Sequence, residues 1–492
     1  MVITFLLLIK NNDISSNKND SSITSTASSH LKGSYPLRHL QEEEDPNSIL
    51  IESLTTKLAC IDDSSDGSNL IFSGCNVYIQ DGSGASVPAN GESSNGKGNL
   101  IVGYDEPTTN TGGNIFETSD HKSGNHNLIV GPGHTYNSYG GIVGGYESIV
   151  SAPHGSVLGG YRNEVMMDYA VVAGGLLNKA VGIQSVAVGG YSNDAIGDRS
   201  VVVGGKLNYP SGSLAVAVGG AVNNATGLLS VAVGGVHNVA TGPRTVVVGG
   251  RLNDAFGNIA VAVGGGSNNA TGERSVTVGG ELNHPFGVVG VALGGRNNNA
   301  TGLGSVSVGG LNNEAINGMS VAVGGADNSA SGFISVAVGG LLNNATGHRS
   351  VEVGGYLNEA LGERTVSVGG DKNKAIGLHS VSVGGESNQA FGEDSVSVGG
   401  IRNVPDVEHT VTVGGKFNHG IGPRSVTVGG ESNSANGPGS VSVGGLGNQP
   451  TGEKSVSVGG SLNVVERATE LSVSVGGSKN VVDGSVSVSV GG

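Results

Sequence analysis

The chain has 492 residues, with 90 glycines, no tryptophan, 4% aromatic and 13% charged residues, and a formal net charge of −15. Glycine is more than twice its usual share of about 7%, yet it falls short of one residue in three and lacks a Gly-X-Y period, so neither aromatic-cored enzyme domains nor collagen fit. Thinly spread acidic charge disfavours nucleic acid, and no apolar run reaches the roughly 18–20 residues of a membrane-spanning helix.

Residues 2–9 (Val-Ile-Thr-Phe-Leu-Leu-Leu-Ile) have the length of the apolar core of a secretory signal, so residues 1–10 are a candidate signal segment, although no Lys or Arg precedes them. Residues 11–48, rich in Ser, Asn, Thr and acids, read as a disordered linker. Asp45-Pro46 has the character of a helix start, and Ile51, Leu54, Leu58 and Ile61 follow on one stripe, which predicts a short helix over 49–62. Such a helix is too short to stand alone in water; it serves either as a small oligomerisation coil or as a cap packed on the following domain. Cys60 and Cys75 are the two cysteines. They form either one disulfide in an oxidising compartment or two buried thiols, and alone they cannot make a zinc site. Residues 63–143 read as atypical leader or capping coils.

From residue 144 the chain repeats every 15 residues, a period that takes precedence over other readings. Gly-Gly pairs recur in step from 144 to 459, then at 476 and 491, giving 24 pairs, with the slip in Val464–Ala468. The unit is Ser-Val-x-Val-Gly-Gly-x-x-Asn-x-Ala-x-Gly-x-x. Ser-Val-x-Val alternates as a strand with both valines on one face, and Gly-Gly turns the chain. The third residue after the pair is Asn in 22 of 23 intervals, among them Asn163, Asn178, Asn193, Asn208, Asn223, Asn238, Asn253 and Asn268. An asparagine at one point of every turn predicts a ladder in which each amide bonds its neighbours above and below.

Fifteen residues are too few for a helical repeat pair but suit two short strands and two turns. The predicted fold is therefore all-β: a single long parallel β-solenoid of 15-residue coils over 144–492, roughly 110–120 Å long at the usual strand spacing. The valines are expected inside and the residue between them outside. That residue is Val or Ala in early coils (Val172, Ala187, Val202) and Ser or Thr in later ones (Ser397, Thr412, Thr427). Two Val and one Ala per coil bury little, so a second face packed on other chains, a homo-oligomer, is expected to help.

Ser185-Val186-Ala187-Val188-Gly189, Ser230-Val231-Ala232-Val233-Gly234 and the Asn-Ala-Thr-Gly turns at 224–227, 269–272, 299–302 and 344–347 resemble the head repeat of trimeric autotransporter adhesins, the YadA-like family. Gly98–Tyr104, His126–Gly131 and Ser138–Gly141 resemble leaders on such heads. The resemblance covers about 75–492 and implies a left-handed β-roll, association of three chains, and a secreted or cell-surface adhesive scaffold with a matrix, glycan or cell-surface ligand. Three features depart from the family: the period is 15 rather than 14, the turn is Val-Gly-Gly rather than Ile-Gly, and the chain closes in mid-repeat without stalk or membrane barrel.

Asn224, Asn269, Asn299 and Asn344 each begin Asn-Ala-Thr, at spacings that are multiples of 15, and so share one edge; they are either N-glycosylation sites or turn chemistry alone. No phosphate-binding loop or calcium nonapeptide is present, and the twelve histidines are read as out of phase. His121 and His126, with Glu117 and Asp120, are read as a solvated polar loop rather than a metal site. A serine in every strand has no placed base. No catalytic, metal or cofactor site is predicted. The expected function is a non-catalytic extracellular or cell-surface scaffold without nucleic acid or a membrane span. The alternative is an ice- or crystal-binding surface built on outward pairs such as Thr410 and Thr412, or Ser395 and Ser397.

Overall fold

A computed structural model of the protein describes residues 59–63, 68–88, 94–106, 122–466 and 470–491. The signal segment, the linker and residues 49–58 of the predicted helix lie outside the described residues, as do Glu117, Asp120 and His121. The described residues contain no helix, and none therefore that is long and apolar enough to cross a membrane.

Two compact units divide the chain, Met1–Tyr78 and Ile79–Gly492. In the first, β1 (Ile61–Asp63) pairs antiparallel with β2 (Leu70–Phe72). Ile61, the last member of the predicted helical stripe, is thus in a strand. The Cys60–Cys75 disulfide and the Ser73 N–H bond to the Cys60 carbonyl (2.8 Å) hold this end extended, and a stripe of under two heptads has no cooperative length to resist.

In the second unit the coils from Thr135 onward contribute one strand to a long parallel sheet and one to a second sheet face, which is interrupted into five short parallel sheets. The long sheet begins with β3 (Leu100–Val102) and β4 (Leu128–Val130), paired in parallel. It continues through one Val-x-Val strand per coil; Val231–Val233, for example, lies between Val216–Val218 and Val246–Val248. The second sheet is built of two-residue strands such as Asn224–Ala225, between Tyr209–Pro210 and Val239–Ala240. Leu128 pairs with Ile142 and Ile142 with Ser156, so the first coils have 14 residues; from Ser156↔Val171 onward the step is 15. The added residue enters between strand and Gly-Gly: Val143 runs directly into Gly144-Gly145, whereas Val157 is followed by Leu158 and then Gly159-Gly160. Later in the chain Val456↔Val473 spans 17 residues, absorbing the slip seen in the sequence.

Turning a coil this tight requires left-handed backbone. Gly234 and Gly235 take φ of 64° and 73°, and Leu229 and His237 in the same coil take 57° and 56° despite having side chains. Left-handed φ at a residue with a Cβ costs about 1–2 kcal/mol. Inter-coil bonds from Leu229 N–H to Ser213 O (3.0 Å) and from His237 N–H to Ala221 O (2.9 Å) hold it in place. At the second bend, a Cβ on Gly227 would overlap the Gly242 carbonyl of the next coil, which favours glycine there, although Met167, Asn317 and Val407 hold the same place in other coils.

Ser185 and Ala187 of the long sheet and Asn193 and Ala195 beyond the turn are fully buried, while Val186 is half-buried and Val188 is 38% exposed. The expected inward valines therefore face out, and the residue between them faces in. Alternation places the residue between the valines inside, together with the second residue of the short strand, and these inward positions hold Ala, Ser, Thr or Val.

Candidate functional site

Outward valines recur in every regular coil, and in-register pairing stacks them directly above one another. Val216, Val231, Val246, Val261 and Val276 form one column, Val218, Val233, Val248, Val263 and Val278 the other. Val188, Val203, Val248, Val278 and Val353 are each 36–40% exposed. Successive strands lie about 4.8 Å apart, so the columns make two continuous apolar ribs along the long sheet. Contiguous apolar surface of this kind is distinct from singly scattered valines.

The opposite side of the same strand removes the alternative surface. Ser395, Ser397, Thr410 and Thr412 have no exposure at all. They point into the coil, with Thr412 Oγ1 bonded to Ser397 Oγ (3.2 Å). The expected outward Ser/Thr array for ice or crystal surfaces is therefore interior, for the same reason that the valines are not.

The asparagines Asn163, Asn178, Asn193, Asn208, Asn223, Asn238, Asn253 and Asn268 are all fully buried in one column. Their bonding differs from an amide-to-amide ladder. Asn193 Oδ1 accepts from the backbone N–H of Asn208 (3.0 Å), and its Nδ2 donates to the carbonyls of Gly189 (3.2 Å) and Gly205 (3.3 Å). Each side chain thus ties the Gly-Gly turn of its own coil to the turn and the asparagine backbone of the next. Ser148, which holds this column's place one coil earlier, bonds Gly144 O through Oγ (3.1 Å). Asn224, Asn269, Asn299 and Asn344 occupy the adjacent position, the first and outward residue of the second-sheet strand, and are half-buried.

Candidate chemistry resolves into structural contacts. Asp81 accepts from the Ser83 hydroxyl (2.6 Å) and N–H (2.8 Å), from Asn125 Nδ2 (3.0 Å), and lies 3.6 Å from His126 Nε2. Ser83, first through its hydroxyl and then its N–H, holds the Asp81 carboxyl far below the usual carboxylate range. Serine and histidine both address the aspartate and not each other, which is the wrong order for an activated nucleophile. His126 is therefore tied into the leader fold.

Titratable groups do recur in phase along one surface column, contrary to the sequence reading. Arg364, His379, Asp394 and His409 stand on successive coils, with Arg364 Nη1 to His379 Nε2 at 3.1 Å, His379 Nδ1 to Asp394 Oδ1 at 3.1 Å and His409 Nε2 to Asp394 Oδ2 at 3.4 Å. Glu393 brings a third ligand-type atom close to His379 and Asp394. The guanidinium can only donate, so its contact makes His379 Nε2 the acceptor and leaves Nδ1 to donate to Asp394. Both ring nitrogens are then occupied, and the column is a hydrogen-bond ladder.

Glu352 is the one carboxylate at the inward position between two valines. It is fully buried between Ala337 and Ser367 with no well-formed hydrogen bond to either oxygen, and burial pushes its pKa up to about 8 against smaller downward pulls from the nearby Ser367 hydroxyl, the Val353 backbone and Asn358.

No protein-family model matches this chain, and no curated protein matches it at a significant level.

Proposed function

We propose that the protein is a non-catalytic, secreted or cell-surface scaffold that self-associates through its valine ribs and presents its remaining surface to a matrix, glycan or cell-surface ligand. The observation that carries this reading is the pair of apolar columns repeated coil after coil on the outer face of the long sheet. A narrow core of Ala, Ser and Asn gives each coil little buried apolar area, and covering the ribs with other copies supplies more. The Cys60–Cys75 bond supports an oxidising location. The likeness of Ser230–Gly234 and its equivalents to YadA-like heads favours three chains as the assembled form.

Light scattering on the full chain tests the assembly. A trimer is expected in dilute buffer, and paired changes such as Val231→Asp with Val246→Asp, which leave the interior untouched, are expected to shift it toward monomer. A wild-type chain that stays monomeric across concentrations overturns self-association. Binding to matrix-protein and glycan arrays tests the adhesive part separately.

A further inference from the structure

We propose that Asn224, Asn269, Asn299 and Asn344 are N-glycosylated and form a row of glycans on the second sheet, on the side away from the valine ribs. Each lies in an Asn-Asn-Ala-Thr run, and the two asparagines have divided the work. The first, such as Asn223, is buried and spends its Nδ2 on the carbonyls of Gly219 (3.1 Å) and Gly235 (3.4 Å). The second begins a two-residue strand whose other member, Ala225 in the first case, is fully buried, so alternation turns the asparagine outward. In all four, Oδ1 is buried without a partner, while Nδ2 makes no hydrogen bond and is not among the buried unpartnered atoms. No hydrogen bond holds either end of the amide, so its nitrogen is free to turn toward solvent. A sugar on Nδ2 costs the folded coil no hydrogen bond, whereas the same sugar on Asn223 would break two and have no room.

The second residue of support is the acceptor hydroxyl. Thr226 and Thr301 are exposed and Thr271 and Thr346 half-buried, each two positions after its asparagine. Spacings of 45, 30 and 45 residues place the sites three, two and three coils apart, or about 14, 10 and 14 Å at the usual strand separation. Ala225 and Ala232 belong to one buried cluster between the two sheets, so the outward faces of the sheets point in different directions. Glycans on this row leave the ribs free.

The donor is a lipid-linked oligosaccharide diphosphate. Nδ2 attacks the anomeric carbon, the C–N bond forms as the C–O bond to the diphosphate breaks, the lipid diphosphate leaves with the bonding pair, and one amide proton passes to a base of the transferase.

This inference rests on the secretory part of the proposed function, so the experiment separates the two. The full chain, carrying Asn19→Gln to silence the Asn19-Asp20-Ser21 sequon, is expressed in a eukaryotic secretory cell in two forms. One keeps its own N-terminus and the other has residues 1–10 replaced by a proven cleavable signal. The lumenal form is expected to lose four glycan mass steps on amidase digestion, and N224Q, N269Q, N299Q and N344Q are each expected to remove one, with far-UV circular dichroism unchanged. A lumenal chain whose mass does not respond to the amidase overturns the glycan row and leaves the location reading standing. A chain that stays cytosolic on its own N-terminus while the signal-bearing form gains glycans overturns the location and keeps the sites.

Discussion

Early and late coils share a backbone and differ in what fills it. Between Ile129 and Ala217 the inward position of the long sheet is apolar, with Ile129, Val143, Val157, Val172 and Val202 in one continuous buried cluster. From Ser367 onward the equivalent residues are Ser382, Ser397, Thr412, Thr427, Ser442 and Ser457, all fully buried, and the hydroxyls of Ser367, Ser382, Ser442 and Ser457 have no partner. Between the 14-residue steps at the start and the 17-residue step near the end, the 15-residue register, the Gly-Gly turns and the asparagine column run through both regions. The path of the chain is therefore set by backbone pairing, turn glycines and the asparagine side chains, and the apolar content of the interior only adjusts how firmly each coil is held.

That contrast can be broken most strongly at Glu352, on the boundary between the regions. Its folded pKa, raised by burial from the usual 4.5 to about 8, means that the folded state holds a proton which the unfolded chain has released. The stability it permits is complete below about pH 4.5 and falls as pH rises toward 8, by roughly 4–5 kcal/mol. Asp194, raised by burial to about 6, adds the same sign over a narrower window. Hydrogen exchange across residues 336–368 at pH 5 and pH 9 is expected to show protection lost at the higher pH. Glu352→Ala, which restores the residue found at Ala337, is expected to abolish that loss; equal protection at both pH values in the unaltered chain refutes the assignment.

The next largest effect is conversion of an early coil into a late one. Val202→Ser removes buried methyls and installs an unpartnered hydroxyl, and is expected to cost about 2–4 kcal/mol, read as a lower urea midpoint for the early coils. The reverse change, Ser442→Ala, removes a buried hydroxyl that has no partner and is expected to gain about 1 kcal/mol by the same measurement. The smallest effect is Arg199→Gly. Arg199 has φ 55°, and Gly304 occupies the equivalent place in another coil with φ 63°. Relief of left-handed strain is offset by the freedom glycine gains when unfolded, so the net shift is expected within about 0.5 kcal/mol.

The period, the two-strand coil and the asparagine column were legible because each is a matter of spacing. The side on which the valines lie was not. Alternation along Ser-Val-x-Val defines two faces without saying which is inside, and the rule that β-branched residues are buried picks the wrong one when the interior is as narrow as this. The sequence held one useful signal. With the exception of Glu352, the residue between the valines is always small (Val, Ala, Ser or Thr), as a confined position demands. The column of Arg364, His379, Asp394 and His409 was hidden because its members differ in type, and their spacing of 15 emerges only when the coils are stacked.

Because neighbouring coils pair in a constant 15-residue register through the regular part of the solenoid, deleting one whole unit brings together two flanking units that meet the same backbone and asparagine atoms as before. Reach is thus a dimension that a lineage can lengthen or shorten by recombination between neighbouring copies, without redesigning any contact.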